Sequence, residues 1–468
     1  MENRKELHIV VFPWLAFGHM IPFLELSKHL AIKRHHISYV SAPRNLERLL
    51  SKIPQNLIPF IELVPVPLPR VGKLPPNAEA TSDVPFDDVE LLKKTYDGLK
   101  EPLARFLEAS SPIDWIIYDY PSYWLPPIAD RLGIQKVFLS LMNGWSSATF
   151  GPSSKMIKDG DGTWSNPENL TSPLEWVPFN NNIVYRFHEA KNSLGAAQTN
   201  ASGVSDMFRS GSSVRDCDIF AIRSCRELEA EYLQLLEELH GKPVVPVGLM
   251  PVSVEEGQRA KDDTWQSMKG WLDEHTKNSV VYVSLGSEFA LSQDEITELA
   301  LGLELSMLPF FWALRKQAGT QPELPDGFEE RTRGRGLVWT NWAPQTQLLA
   351  HDSVGAFLTH CGWSSIIEGL QFGRPLVMLP FVLDQGLNAR VMEQKKVGIE
   401  IPRNNRDGSF NKISVAQSLK VVCGDIHGTI YRDEAKKMSR MVADKNLHNQ
   451  YMEEFEAYLH NKRPKPEA

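Results

Sequence analysis

Residues 342–385 read WAPQTQLLAHDSVGAFLTHCGWSSIIEGLQFGRPLVMLPFVLDQ and gather an aromatic face, a histidine, a glycine turn followed by serines, and an acid beside an amide. His360 ends the apolar run 356–359, Cys361 and Gly362 supply a turn, and a helical pattern opens at Ser364. A strand that passes through a glycine turn into a helix N-terminus presents unpaired amides and a positive dipole end to an anion. At the strand's carboxyl end, His360 is placed to reach a phosphate oxygen. Ser365 and Glu368 also have the spacing of a capping box, which starts a helix without any ligand. Spacing alone leaves the two readings of Glu368 open. Trp342 offers a face for stacking on a base, while Asp384 and Gln385, just beyond the run 376–379, offer an acid and an amide to sugar hydroxyls.

Such groups need strands to hold them, and short apolar runs alternate with amphipathic stretches along the whole chain. Strands are expected at 8–12, 37–40, 115–118, 137–139 and 219–222, with helices at 23–30, 89–107 and 228–239 between them. A second series follows at 280–284, 310–314, 337–340, 356–359 and 376–379. This alternation predicts an α/β protein with two doubly wound, Rossmann-like domains and a ligand where the carboxyl ends of the two sheets face each other. The Pro-rich stretch 242–253 and the charged stretch 255–263 mark a linker. The divisions are a first domain over 1–243, a linker over 244–264 and a second domain over 265–445. The aperiodic insert 151–178 reads as loops over a cleft.

Composition narrows the chemistry. A 468-residue chain with 42% hydrophobic and 23% charged residues has the balance of a soluble enzyme with more than one core. Its formal net charge of -8, without a basic stripe, excludes a nucleic-acid partner. Cys217, Cys225, Cys361 and Cys423 are too scattered for a disulfide framework or a zinc site, which fits a reducing, cytoplasmic setting. Arg4 and Lys5 before the run 7–17 imitate a secretory leader, but His8 and Pro13 interrupt it and no small-x-small site follows. The sequons at Asn169 and Asn200 then carry no meaning. No apolar stretch reaches membrane-spanning length.

The stretch 342–385, with WAPQ at its start, HCGW in its middle and DQ at its end, resembles the signature of plant secondary-product UDP-glycosyltransferases. Residues 281–288 (VYVSLGSE) resemble that family's second phosphate-facing turn, and residues 12–19 (FPWLAFGH) its N-terminal catalytic loop. The resemblance implies the GT-B fold, with residues 446–468 forming a helix that packs back on the first domain and a tail. It implies that Trp342 stacks on uracil with Ala343 bonding it through backbone, and that Gln345 and Glu368 hold the ribose. His360, Ser365 and Ser287 would hold the diphosphate beside the Gly362 turn, and Trp363, Asp384 and Gln385 would line the sugar, with Ser140 as a further sugar contact. The family more often has Asn where Ser364 stands; serine still donates to a phosphate but reaches less far. Trp363 and Gln385 are the types associated with UDP-glucose, with UDP-rhamnose as the alternative donor. Residues 12–28 and 310–315 resemble the branch that extends sugars on flavonoid or terpenoid glycosides, and a roof over residues 143–164 suits such an acceptor; an aglycone-directed enzyme is the other reading.

Transfer with inversion needs a base for a weakly nucleophilic hydroxyl. His19 follows the first strand, Pro22 suits a first helical turn, and a helix N-terminus keeps an imidazole neutral. Asp119, ending another strand of the same sheet, can fix its tautomer. The bland alternatives are a Gly-His turn and a turn-initiating Asp. The resemblance places its catalytic pair at these two positions. Asp159-Gly160-Asp161 has the D-x-D pattern by which other glycosyltransferases hold a divalent ion, but it lies in the aperiodic insert. No metal or other cofactor is expected, and helix-end amides with His360 take the ion's place. The partners expected are a UDP-sugar and a small-molecule acceptor, with the chain acting as a monomer. A dinucleotide G-x-G-x-x-G and a P-loop are both absent.

Overall fold

Runs such as HIVVF, WIIY and IFAI become strands buried on both faces, the environment that selects continuous apolar sequence over alternation. The computed structural model describes residues 6–179, 182–252, 263–286, 291–314, 323–424 and 427–462. The first sheet contains β1 (His8–Phe12), β2 (His36–Ser41), β3 (Ile61–Pro65), β4 (Trp115–Tyr118), β5 (Gln135–Ser140), β6 (Ile219–Ile222) and β7 (Val244–Pro246). The second contains β8 (Val280–Ser284), β9 (Phe310–Ala313), β10 (Gly336–Trp339), β11 (Val354–Thr359), β12 (Leu376–Met378) and β13 (Gly398–Glu400). The orders are β3-β2-β1-β4-β5-β6-β7 and β10-β9-β8-β11-β12-β13. Every pairing is parallel.

In both sheets the winding reverses between the first strand in sequence and the fourth. Phe12 stands beside Tyr118 in the first sheet and Ser284 beside Thr359 in the second, so the residues after those strands emerge together at the switch points.

Alternation along β1 divides the core. Ile9 and Val11 share a cluster with Phe23 and Leu26, while Val10 and Phe12 share another with Tyr96 and Leu103. That second cluster continues to Tyr282 and Phe357, so apolar packing runs from one sheet to the other. The helix Lys445–Asn461 adds Met452, Phe455 and Leu459 to the cluster that holds Ile9, covering the first sheet from outside. Asp444 caps it by accepting from the N–H groups of Asn446 and Leu447. Among the described residues no helix is long and apolar enough to cross a membrane.

The structure departs from the sequence reading in places. Val244–Pro246, assigned to the linker, pairs with β6 as a seventh strand. The helix Asp263–Asp273 begins inside the assigned linker range, whose residues 253–262 lie outside the described residues. The helix expected over 89–107 is two, Val89–Asp97 and Lys100–Ala109, broken around Gly98, where an added Cβ would sit 2.4 Å from Pro69 Cγ. The insert 151–178 is not wholly loop; it carries short helical turns at Ser153–Met156, Thr163–Ser165 and Pro167–Leu170.

Candidate active site between the two sheets

After β1 the chain turns through Trp14 and Leu15, both buried, and enters the helix Phe17–Ile32. The helix starts earlier than expected, so His19 lies in its first turn and Pro22 inside it rather than at its start. His19 Nδ1 lies 2.7 Å from Asp119 Oδ2, just past the end of β4. Asp119 is 2% exposed and also accepts from the N–H of Trp14 at 3.0 Å and of Tyr120 at 2.7 Å. These amides fix the carboxylate, and the carboxylate fixes the ring: a neutral imidazole donating from Nδ1 keeps its lone pair on Nε2. The His19 side chain remains 28% exposed.

At the corresponding edge of the second sheet, His360 follows β11 and lies between two turns. A Cβ added at Gly286 or at Gly362 would come within 2.6 Å of His360 Nε2, and Gly286 has a φ of +80°. Only glycine permits both this approach and, at Gly286, this backbone. Burial pushes the His360 imidazole down to about 4, and its enclosed Nδ1 has no hydrogen-bond partner among the described residues. Ser287, expected on the diphosphate, lies outside the described residues.

The helix Trp363–Gln371 has Gly362 at its N-cap and no side-chain cap. Ser365 is therefore its third residue and Glu368 its sixth, which removes the capping-box reading. Glu368 Oε2 instead accepts from Gln345 Nε2 at 2.8 Å, and Gln345 Nε2 also reaches Ser365 Oγ at 3.4 Å. Burial pushes the Glu368 carboxyl up, against the pull of Gln345 and Arg223. Two positions expected on one ribose are thus neighbours, although 23 residues apart in sequence. Trp342 is 74% exposed, an apolar surface available for stacking; Ala343 is partly buried beside it.

Asp384 carries a carboxyl raised to about 6 by burial, opposed by its bond with Asn388 and by the charge of His19. His19 in the first sheet's site is thus within electrostatic reach of Asp384 in the second. Gln385 Oε1 accepts from the N–H groups of Phe381 at 2.9 Å and Val382 at 3.1 Å. Those bonds occupy its oxygen and leave Nε2 as the group for a hydroxyl, so Gln385 does not offer both donor and acceptor as expected. The Trp363 indole N–H donates to the carbonyl of Arg223 at 3.1 Å, and its ring meets Trp145 edge-on with centroids 5.3 Å apart. Trp363, expected to line the sugar, thus uses its indole N–H to join the two domains. Ser140 is buried at the end of β5, its Oγ 3.4 Å from that of Ser147.

Sequence reasoning missed three residues here. Asn388 Oδ1 accepts from Asn143 Nδ2 at 2.6 Å, Trp145 Nε1 at 2.8 Å and Ser146 Oγ at 3.2 Å. Its Nδ2 donates to Cys361 O and to Asp384 Oδ2, both at 3.0 Å. The one local signal was its place four residues after Asp384, a helical neighbour. Arg223 and Trp145 had none. The expected acceptor roof over 143–164 is largely turned inward: Asn143 bonds Asn388, and Trp164 is 3% exposed and stacked on Phe150. Asp159 and Asp161 lie in left-handed turns, with φ of 54° and 51°, and Asp159 accepts from Ser205 Oγ. His35, Glu456 and His460 form the group of possible metal ligands found among the described residues; His35 precedes β2, at the edge opposite the cleft.

Comparison with known proteins identifies relatives of the whole chain. The family described as UDP-glucoronosyl and UDP-glucosyl transferase matches residues 228–450. UDP-glycosyltransferase 91D1 of Stevia rebaudiana is 49% identical over 464 residues, covering 98% of this chain and 93% of the relative. Soyasaponin III rhamnosyltransferase of Glycine max is 40% identical over 456 residues, with 97% and 95% covered. In fold the chain is similar to Glycyrrhiza uralensis UGT73P12 complexed with glycyrrhetinic acid 3-O-monoglucuronide, at a TM-score of 0.81 and 22% identity, with 98% of this chain and 96% of that one covered. It is likewise similar to Arabidopsis thaliana UGT89C1 complexed with UDP-L-rhamnose, at a TM-score of 0.73 and 23% identity, with 97% and 100% covered.

Proposed function

This chain belongs to the plant UDP-glycosyltransferase family, and within it we propose an inverting, metal-independent transfer of glucose from UDP-glucose to a hydroxyl of an already glycosylated terpenoid or flavonoid. The observation that carries the reading is the His19–Asp119 pair, 2.7 Å apart and in electrostatic reach of Asp384 on the other sheet. His19 Nε2 takes the acceptor's hydroxyl proton as that oxygen attacks C1 of the sugar. Asp119 stabilises the imidazolium that forms. The bond from C1 to the diphosphate oxygen breaks on the opposite face, and UDP leaves with the electron pair. Uncapped amides at the start of the helix Trp363–Gln371, with His360, stabilise its charge. Asp384 and Gln385 Nε2 hold sugar hydroxyls, while Trp342 and the Gln345–Glu368 pair hold the nucleoside. The four free cysteines suit a cytoplasmic enzyme, which we take to act as a monomer.

Two relatives favour a sugar-on-sugar product by their names: soyasaponin III rhamnosyltransferase and, at 31% identity, anthocyanidin-3-O-glucoside rhamnosyltransferase of Petunia hybrida. The same names support UDP-rhamnose as the second donor reading. The ratio of glucosylated to rhamnosylated product formed from equal concentrations of UDP-glucose and UDP-rhamnose decides the donor; a clear preference for rhamnose would displace glucose. A paired kcat/KM for one glycoside and its aglycone decides the acceptor. The glycoside is expected to be the better substrate, and an aglycone preferred across several scaffolds would overturn that choice.

A further inference from the structure

Arg223 follows β6 and is 3% exposed. Its Nε donates to Leu249 O at 2.8 Å, its Nη2 to Met250 O at 3.2 Å and its Nη1 to Ser364 Oγ at 2.7 Å. All three acceptors are neutral, and among the described residues no carboxylate oxygen lies within ion-pair distance of it. Burial pulls the guanidinium down to about 10, with Glu368 the larger of two opposing influences.

Ser364 is the second residue of the helix Trp363–Gln371, whose N-cap, Gly362, provides no side-chain cap. A cation beside a helix N-terminus is the reverse of the favourable arrangement, since both are positive. An enclosed charge without a counter-charge is also costly. Two positive ends brought together out of water make a place that an anion would stabilise, and His360, whose Nε2 packs on Gly362 and whose Nδ1 has no partner among the described residues, adjoins it. Ser364 links the two. Its Oγ accepts from the guanidinium, so its own proton points elsewhere, and a hydroxyl that accepts from a cation becomes a stronger donor.

We propose that Arg223, a residue of the first domain, is a positioning residue for the donor's diphosphate, orienting and polarising the Ser364 hydroxyl and supplying a positive charge that, among the described residues, no carboxylate meets at ion-pair distance. This rests on the UDP-sugar reading of the cleft. The Arg223 carbonyl accepts from Trp363 Nε1, so backbone and side chain of one residue hold two successive positions of the donor helix.

The test is titration of the purified protein with UDP and with uridine, which lacks the phosphates. Arg223→Met should weaken UDP by roughly 10- to 100-fold, the range for a hydrogen bond involving a charged group, and uridine by less than about twofold. Arg223→Lys, which keeps the charge without the fork, should fall between. In turnover, Arg223→Met should raise the donor KM and leave the acceptor KM unchanged. Equal losses for UDP and uridine, or none for UDP, would overturn the proposal. If Arg223→Met fails to fold, Ser364→Ala decides with the guanidinium in place: selective weakening of UDP supports the role, and unchanged UDP affinity removes it. A wild-type protein that does not bind UDP would remove the glycosyltransferase reading and this proposal with it.

Discussion

Each sheet places a histidine at its switch point, one after the first strand and one after the fourth, and the two have opposite surroundings. His19, beyond β1, faces a carboxylate held by two backbone amides and keeps part of its ring exposed. His360, beyond β11, faces two glycines, and burial holds it neutral at about 4. One fold edge thus makes a proton acceptor with a stabilised cation, and the other a neutral hydrogen-bonding group. Strand order sets where a residue emerges; its partners set what it can do.

The largest expected effect tests the first half of that contrast. His19→Ala should lower kcat by at least about a hundredfold, the usual minimum for general-base catalysis, while UDP titration shows nearly unchanged affinity. Retention of more than about a tenth of the wild-type rate would remove the base role. Asp119→Asn should cost nearly as much, because the amide no longer stabilises an imidazolium. His360→Ala should show the converse pattern, UDP binding weaker by on the order of tenfold, as for a lost hydrogen bond to a charged group, with the acceptor KM little changed. A similar profile for the two histidine variants would dissolve the comparison.

Asp384 sharpens it through pH. Its raised value, about 6, means that the carboxylate needed by sugar hydroxyls is lost as pH falls through that region. The affinity for the UDP-sugar, titrated without acceptor so that the base role of His19 is not read, should then drop up to about tenfold per unit below pH 6, and Asp384→Asn should flatten that fall while lowering the affinity above it. A smaller effect concerns the folded state. His240 and His360, both held at about 4 by burial, bind protons less readily than they do unfolded, near 6.5. Their contribution is present above about 6.5 and is lost as pH falls towards 4, and His240→Phe should make thermal melting less sensitive to acid in that window. The smallest expected effect is zero: EDTA should leave the rate unchanged, and loss restored by manganese would show that a metal supplies what is assigned here to helix amides and His360.

The positions of Asp119 and His360 were legible because each directly follows a central strand, and that of His19 because it opens the helix after another; neighbours on both sides bury these strands, so each apolar run is continuous and its end is sharp. β3, β7 and β13 were missed, and all three lie at sheet edges. β3 mixes buried and exposed residues, and β7 and β13 span three residues each. The Ser365–Glu368 spacing was legible but ambiguous, and the choice fell only when Gly362 proved to be the cap.

The sequence by itself determined the two-sheet class, the strand ends that carry the chemistry and the residue types placed there, because periodicity and turn chemistry act over a few neighbouring residues. Only the tertiary structure decided which of them meet. Arg223 and Ser364 are 141 residues apart, and Asn143 and Asn388 are 245 apart. No local pattern encodes such pairs, since each forms when two separately folded domains bury polar groups against each other and those groups must find partners there.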